Sequence, residues 1–187
     1  MARWSDWFSG RASDARAAAY VAALREEPPS QDVEWLATHG TNGDTDHARW
    51  ELRYLRRAVG LLVAQHDALD DRTASLVASE LSRTLAHDPH VDAGKRRVAE
   101  QQFNARLRAY GEALRRREAG QGASTYGGRT LLEFAGRRDP LSSDLVEQAS
   151  DVVARYRADA NRALRAHFGV AELPEDVAPS ALRPGQR

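Results

Sequence analysis

The chain has 187 residues, no cysteine and a formal net charge of zero, with 42% hydrophobic and 29% charged residues. This length and composition are typical of one globular domain with a substantial core. Without cysteine there is no disulfide framework, thiol chemistry or cysteine-ligated zinc. The longest apolar run, 58–64, is far shorter than the roughly 20 residues of a membrane span. Because the N-terminus also lacks the pattern of a signal peptide, we expect a soluble, cytoplasmic protein.

The first ten residues contain three large aromatic side chains, Trp4, Trp7 and Phe8, which share one face if this segment is helical. We expect this face to dock on the protein's own bundle, on a protein partner or on a second copy of the chain. Tryptophan also suits the headgroup region of a membrane. The segment is short and Arg3 is its only cation, so a membrane anchor through residues 1–10 is the less favoured interpretation.

Two shorter helices are predicted next. Residues 13–27 form the first, with Ser13 as N-cap, and the prolines at 28–29 end it because proline lacks a backbone N–H. Ser30 is expected to cap the second, which carries Trp35. Residues 38–46 then form a loop whose alternating Asn and Asp residues resemble the start of a calcium loop. That match fails because His47 stands where a calcium loop has its glycine and Arg53 where it has its bidentate glutamate. A turn followed by an Asp or Thr that caps the next helix explains the loop better.

The stretch 46–88 has the densest apolar pattern, at the three- and four-residue spacing of a helix. Four arginines fall on the side opposite the apolar face and are expected to stay solvated: Arg49, Arg53, Arg56 and Arg57. One unbroken helix here would be about 60 Å long, which is unusual in a compact domain. A helical hairpin that turns near residues 66–71 is the favoured alternative.

Two further long helices are predicted, over 92–118 and about 141–168, the second starting at Ser143 and Asp144 and capped by Gly169. Between them, 120–129 is expected to be a flexible glycine-rich connector and 130–136 a short apolar turn. The fold class is therefore all-α: an antiparallel bundle of about four long helices with two shorter N-terminal helices packed on it. Residues 1–172 form a single domain, and 173–187 a proline-containing, partly disordered tail.

The charge is unevenly distributed, because residues 91–138 hold eleven basic and five acidic side chains. The helix 95–117 contributes most of the basic ones and could contact phosphates. Interleaved glutamates, the zero net charge and the lack of a recognisable DNA-binding motif make nucleic acid an unlikely partner. We expect this face to pair with acidic residues of the N-terminal half, and keep weak nucleic-acid binding as a second alternative function.

Two histidine–carboxylate pairs have the spacing of one helical turn: His47 with Glu51, and His66 with Asp70. Such pairs can chelate a divalent ion. However, the Glu-x-x-His motif of di-iron bundles is absent, and a hairpin would place His66 at its turn and His47 near its open end. A metal- or cofactor-containing helical-bundle enzyme is therefore an alternative, and no cofactor is predicted.

The favoured function is that of a helical binding or scaffolding protein that uses a protein partner or self-association. Its predicted binding residues are four aromatics, Trp4, Trp7, Phe8 and Trp35, because aromatic and arginine side chains are enriched at interfaces. No catalytic residues are predicted. The spacing of serines and histidines matches no known arrangement of nucleophile and base.

Overall fold

Helices form all the regular secondary structure in the described part of the chain. The structure, a computed structural model, describes residues 4–67, 71–118, 125–137 and 140–169, without the side chains of 4–11, 117 and 118. Its α-helices are α1 (Trp4–Leu24), α2 (Ser30–His39), α3 (Thr45–Asp67), α4 (Asp71–Ala86), α5 (Arg96–Glu118), α6 (Thr125–Phe134) and α7 (Ser143–Phe168). A 3₁₀ turn, Ala93–Lys95, precedes α5. The prediction of an all-α helical bundle is confirmed.

Helix α3 lies at the centre of the bundle and contacts all the other described α-helices. Its residues 57–64 are all buried, on every side of the helix. A helix that is buried all round is enclosed by its neighbours, whereas a surface helix buries only one stripe. The dense apolar pattern seen in the sequence of 46–88 is therefore explained in large part by α3, the helix that the others enclose.

The stretch 46–88 forms two helices, because α3 ends at Asp67 and α4 begins at Asp71. They run in opposite directions: Arg57, in the middle of α3, pairs with Asp88, which follows the end of α4. The hairpin prediction is thus confirmed, and the single helix of about 40 residues is wrong.

The N-terminal helix is longer than predicted. Helix α1 begins at Trp4, so Ser13 lies inside it and does not cap it. The sequence 4–24 contains no proline, and its Gly10 costs an interior helical position only about 1 kcal/mol. The second helix starts at Ser30 as predicted, but Pro29 occupies the cap position and no side chain caps it. The expected capping role of Ser30 is therefore wrong.

The loop before α3 ends in a cap. Asp44 Oδ1 accepts a hydrogen bond from the backbone N–H of His47, at 2.9 Å, which satisfies one of the free donors of the first turn. Asn42 and Gly43 have φ values of 56° and 89°, as a tight turn requires. The alternating acids of the loop are thus explained by a turn and a cap, as predicted.

The glycine-rich connector is shorter than predicted, because Gly127 and Gly128 lie inside α6. A Cβ at Gly128 would stand 2.4 Å from both Ser150 Oγ and the Val146 carbonyl oxygen of α7. These glycines bring the backbones of α6 and α7 into close contact. Glycine is unfavourable in a helix on propensity alone, so the sequence signal for a loop is overridden by packing.

Helix α7 follows its prediction to within two residues. It begins at Ser143, two residues after the predicted start near 141. Its N-cap is Ser142, whose Oγ accepts the backbone N–H of Leu145 at 3.3 Å, so Asp144 lies inside the helix and the expected capping role of Asp144 is wrong. Gly169 occupies the C-cap with φ 88°, as predicted. Within the described ranges, no helix has the length and apolar character that crossing a bilayer demands.

Replacing Gly128 with alanine is expected to destabilise the fold by about 2 kcal/mol. The added methyl group would meet the α7 backbone, which cannot move aside as a side chain can. This overpacking outweighs the gain of up to about 1 kcal/mol in helix propensity. Urea denaturation measures the free energy of unfolding. Gly94→Ala is the matched control, since a Cβ there meets nothing within 4 Å; equal stability of the two variants would contradict the close packing.

Candidate functional site

A cleft of about 440 Å³ opens between α4 and α5, with α3 along its base. We call it the α4/α5 cleft. Four α3 residues line it at helical spacing: Trp50, Tyr54, Arg57 and Leu61. Its apolar lining from the other two helices includes Ala78, Leu81, Leu85, Phe103 and Leu107. Ligand pockets are mostly apolar, with a few placed polar groups, and have volumes of roughly 300–1,000 Å³. The α4/α5 cleft has these properties.

The polar group at one end of the α4/α5 cleft is a buried ion pair. Arg57 Nη2 donates to Asp88 Oδ2 at 2.8 Å, and the two side chains are only 4% and 1% exposed. The other carboxylate oxygen, Asp88 Oδ1, accepts the backbone N–H of His90 at 3.0 Å. Each oxygen of Asp88 therefore accepts one hydrogen bond, one from the arginine and one from the chain that leads away from α4.

Arg57 is incompletely satisfied, because its Nε–H is buried and has no hydrogen-bond partner. Burial lowers the pKa of Arg57, Asp88 opposes that effect, and the nearby cations Arg25 and Arg53 add to it. Burial would raise the pKa of Asp88, but the His90 amide and the Arg57 charge reverse this and lower it. The pair therefore holds a charged carboxylate inside the protein, beside an arginine whose Nε–H is buried and unpaired.

The prediction that Arg57 stays solvated is wrong. Arg57 lies three residues after Tyr54 and four before Leu61, so it shares their face of α3. The side chains of Arg53 and Arg56 are more exposed than that of Arg57. Arg53 pairs with Glu27 at 2.6 Å, and Arg56 pairs with Glu26 at 2.9 Å.

A second buried pair joins α3 to α5. Both carboxylate oxygens of Glu51 accept hydrogen bonds from Arg106, with Nε at 2.8 Å from Oε2 and Nη2 on Oε1. The Arg106 guanidinium also lies over the rings of Tyr54 and Phe134, at 4.8 and 4.5 Å from their centroids. Such bidentate and stacked contacts are specific to arginine. The pair joins α5 to an acidic residue of the N-terminal half through a buried arginine, whereas the expectation from sequence concerned the solvated basic face of this helix.

The predicted metal-binding residues are not brought to one place. His47 Nε2 lies 3.3 Å from Glu51 Oε1, but that carboxylate is already held by Arg106. His66 is exposed in the last turn of α3, about 28 Å from His47 along the helix axis. Asp70 lies outside the described residues. Among the side chains that the structure describes, no three His, Asp or Glu residues converge as metal ligands would.

The predicted aromatic binding residues are only partly described. Trp35 is half-buried and packs on the core, and its ring stacks on His39 with centroids 5.5 Å apart. Its Nε1 donates to Gln148 of α7 at 3.0 Å. Trp35 thus links α2 to α7. The side chains of Trp4, Trp7 and Phe8 lie outside the described residues.

The basic helix α5 presents several arginines to solvent, among them Arg96, Arg97 and Arg108. Arg116 pairs with Glu112 of the same helix at 2.6 Å. The buried Arg106 faces the opposite side, towards α3.

No protein-family model matches the chain, and neither a curated protein nor a solved structure matches it.

Sequence reasoning missed Arg57 and Arg106 as candidate site residues, and it considered Asp88 only as a metal ligand beside His87 and His90. The signal for Arg57 was its position in the row Trp50, Tyr54, Arg57, Leu61, where a charge interrupts an otherwise apolar or aromatic stripe. The pairing of Asp88 with Arg57 had no such signal, because Asp88 follows α4 and meets Arg57 only when the hairpin closes.

Removing one partner of the buried pair is expected to be costly. Asp88→Ala leaves Arg57 charged and unpaired in the interior, which lowers the free energy of unfolding by about 3–5 kcal/mol. The control is Asp46→Ala, which breaks the exposed Arg49–Asp46 pair and costs less than about 1 kcal/mol. Both values come from urea denaturation at pH 7. Similar losses in the two variants would show that the Asp88 pair is not buried in solution.

The contribution of Asp88 is expected to vanish in acid. Because the pKa of Asp88 is lower in the folded than in the unfolded protein, its stabilisation is complete above about pH 5 and is lost as the pH falls through the folded value. The stability difference between wild type and Asp88→Asn should therefore stay constant from pH 6 to about pH 5 and shrink steadily from there to pH 3. Urea midpoints across that range measure it, and a constant difference would refute the lowered pKa.

Proposed function

We propose that the protein is a binding module whose ligand is a small molecule with a large apolar part, held in the α4/α5 cleft. The observation that carries the proposal is the lining of this cleft. Apolar side chains from α3, α4 and α5 surround a volume of about 440 Å³, and the Arg57–Asp88 ion pair stands at one end. A mostly apolar pocket with a few converging polar groups is the usual form of a small-molecule site.

The energetics also favour a ligand in the α4/α5 cleft. Apolar surface on the half-buried side chains of Trp50, Leu85 and Leu107 would be removed from water by a ligand, at about 25 cal/mol per Å². The walls belong to three helices packed around the core, so they need little ordering when a ligand binds, and preorganisation of this kind increases affinity.

Other parts of the binding hypothesis stay predictions. A protein partner or second copy that binds Trp4, Trp7 and Phe8, and a cytoplasmic location, are compatible with a ligand in the α4/α5 cleft. Trp35 already donates a hydrogen bond to Gln148 of its own chain. The proposed binding of a protein partner or second copy therefore depends mainly on Trp4, Trp7 and Phe8.

The proposal is tested with Nile red, an uncharged dye that fluoresces in apolar sites. The wild-type protein is expected to bind it saturably, with one dye per chain. Ala99→Trp places a large ring on the α5 wall of the α4/α5 cleft and should weaken binding at least tenfold. Fluorescence titration measures the affinity, and circular dichroism confirms that the variant is folded.

Ala166→Trp is the matched control, since Ala166 is exposed on α7 and lies away from the cleft. It should bind Nile red as the wild type does. The proposal is wrong if the wild type binds no dye, or if the two tryptophan variants bind it equally well.

A further inference from the structure

We infer that the α4/α5 cleft is covered, when no ligand is bound, by residues 170–182 of the same chain, which we call the C-terminal segment. Its apolar side chains Val177 and Leu182 enter the cleft, and its acidic residues lie against exposed arginines of α5. The inference rests on the proposed function for its regulatory consequence, because a ligand must displace the C-terminal segment in order to bind.

The sequence of the C-terminal segment suits a narrow apolar groove. The segment lies outside the described residues, and its sequence carries four branched apolar side chains: Val170, Leu173, Val177 and Leu182. The prolines at 174 and 179 favour an extended polyproline II backbone over a helix. Proline-rich segments of this kind dock in apolar and aromatic grooves because little conformational entropy is lost.

The length of the chain after α7 allows the C-terminal segment to reach the cleft. Asn161 Nδ2 of α7 donates to Oδ2 of Asp67, the last residue of α3, at 2.7 Å. Gly169 lies eight residues after Asn161, about 12 Å along the helix axis. Leu61, the cleft residue of α3 nearest to Asp67, lies six residues before it, about 9 Å away. Roughly seven extended residues span this path, so the chain reaches the cleft from about Val177 onwards.

The charges along this path are complementary. Residues 172–176 hold three carboxylates and no basic side chain. Arg108 and Arg115 are exposed and form no ion pair within the ranges that the structure describes. They lie one and three turns beyond Asn104, a lining residue, so they continue the cleft side of α5 past its end. The acidic residues, which precede Val177, therefore pass these arginines where the segment enters the cleft.

The accessible part of the cleft lining is apolar and the docking is intramolecular. Trp50, Leu85 and Leu107 are half-buried, and covering them removes apolar surface from water. A segment tethered to the same chain has an effective concentration of order millimolar, so even weak contacts fill the cleft. The same segment on a separate molecule lacks this advantage, which is why we assign the cover to the chain itself.

The test locates the C-terminal segment in the full chain by NMR. Because the chain has no cysteine, Ser180→Cys provides a single site for a nitroxide label. The label is expected to broaden the amide signals of the cleft-lining residues of α4 and α5. The signals of α2, which contributes no lining residue, should stay sharp. Sharp signals throughout α4 and α5 would overturn the inference.

A mixture of two samples separates the chain's own segment from that of a second copy. Nitroxide-labelled chains without isotope are mixed with isotope-enriched chains that carry no nitroxide. Sharp α4 and α5 signals in the mixture support docking within one chain. Broadening in the mixture equal to that in the doubly labelled chain would assign the segment to a second copy and overturn the inference.

A charge reversal tests the contact with α5. Glu175→Lys with Asp176→Lys should reduce the broadening of α4 and α5, and Nile red should bind roughly threefold more tightly because its competitor is weakened. The matched control is Asp14→Lys with Glu34→Lys, which reverses exposed residues of the same types outside the cleft lining and should change neither quantity. Unchanged broadening in the 175/176 variant would count against the inference.

The two proposals fail in different ways. If Ala99→Trp blocks Nile red but the label at position 180 leaves α4 and α5 sharp, the binding function stands and the cover is wrong. If the label broadens the cleft signals but Ala99→Trp and Ala166→Trp bind Nile red equally, the docking of the segment stands and the binding function is wrong.

Discussion

Two arginine–carboxylate pairs buried against α3 determine how α4 and α5 are placed. Helix α3 is enclosed by the other helices, yet it directs Glu51 and Arg57 into its own interfaces. Each charge is costly to bury alone and acceptable only when its partner is close and well oriented. The chain after α4 must therefore deliver Asp88 to Arg57, and α5 must deliver Arg106 to Glu51. These two requirements add directional constraints on both helices to the packing of their apolar faces.

The α4/α5 cleft follows from this arrangement. Helices α4 and α5 each pack on α3, while they meet each other over a much smaller area. The space left between them is bounded by apolar side chains and by the Arg57–Asp88 pair. The pair helps to close the hairpin, because it joins the middle of α3 to the residue that follows the end of α4.

The fold was largely predictable from sequence, because apolar spacing, prolines and caps are local signals. They located the hairpin, the Asp44 cap before α3 and the Gly169 cap after α7. Local signals failed where tertiary packing overrides them. Gly127 and Gly128 indicate a loop by propensity but lie in a helix because α7 approaches closely. Arg57 was assigned to solvent because it is charged, and the acceptor that allows its burial lies 31 residues further along the chain. The cleft joins three helices, so no single stretch of sequence indicates it.

The most direct test of this account is a double-mutant cycle on the Arg57–Asp88 pair, using Arg57→Met, Asp88→Asn and the double variant in urea denaturation at pH 7. If the pair is buried and mutually dependent, each single change is costly and the double variant recovers much of the loss. The coupling free energy should then be about 2–3 kcal/mol. Additive effects to within about 0.5 kcal/mol, the range expected of independent sites, would contradict the account.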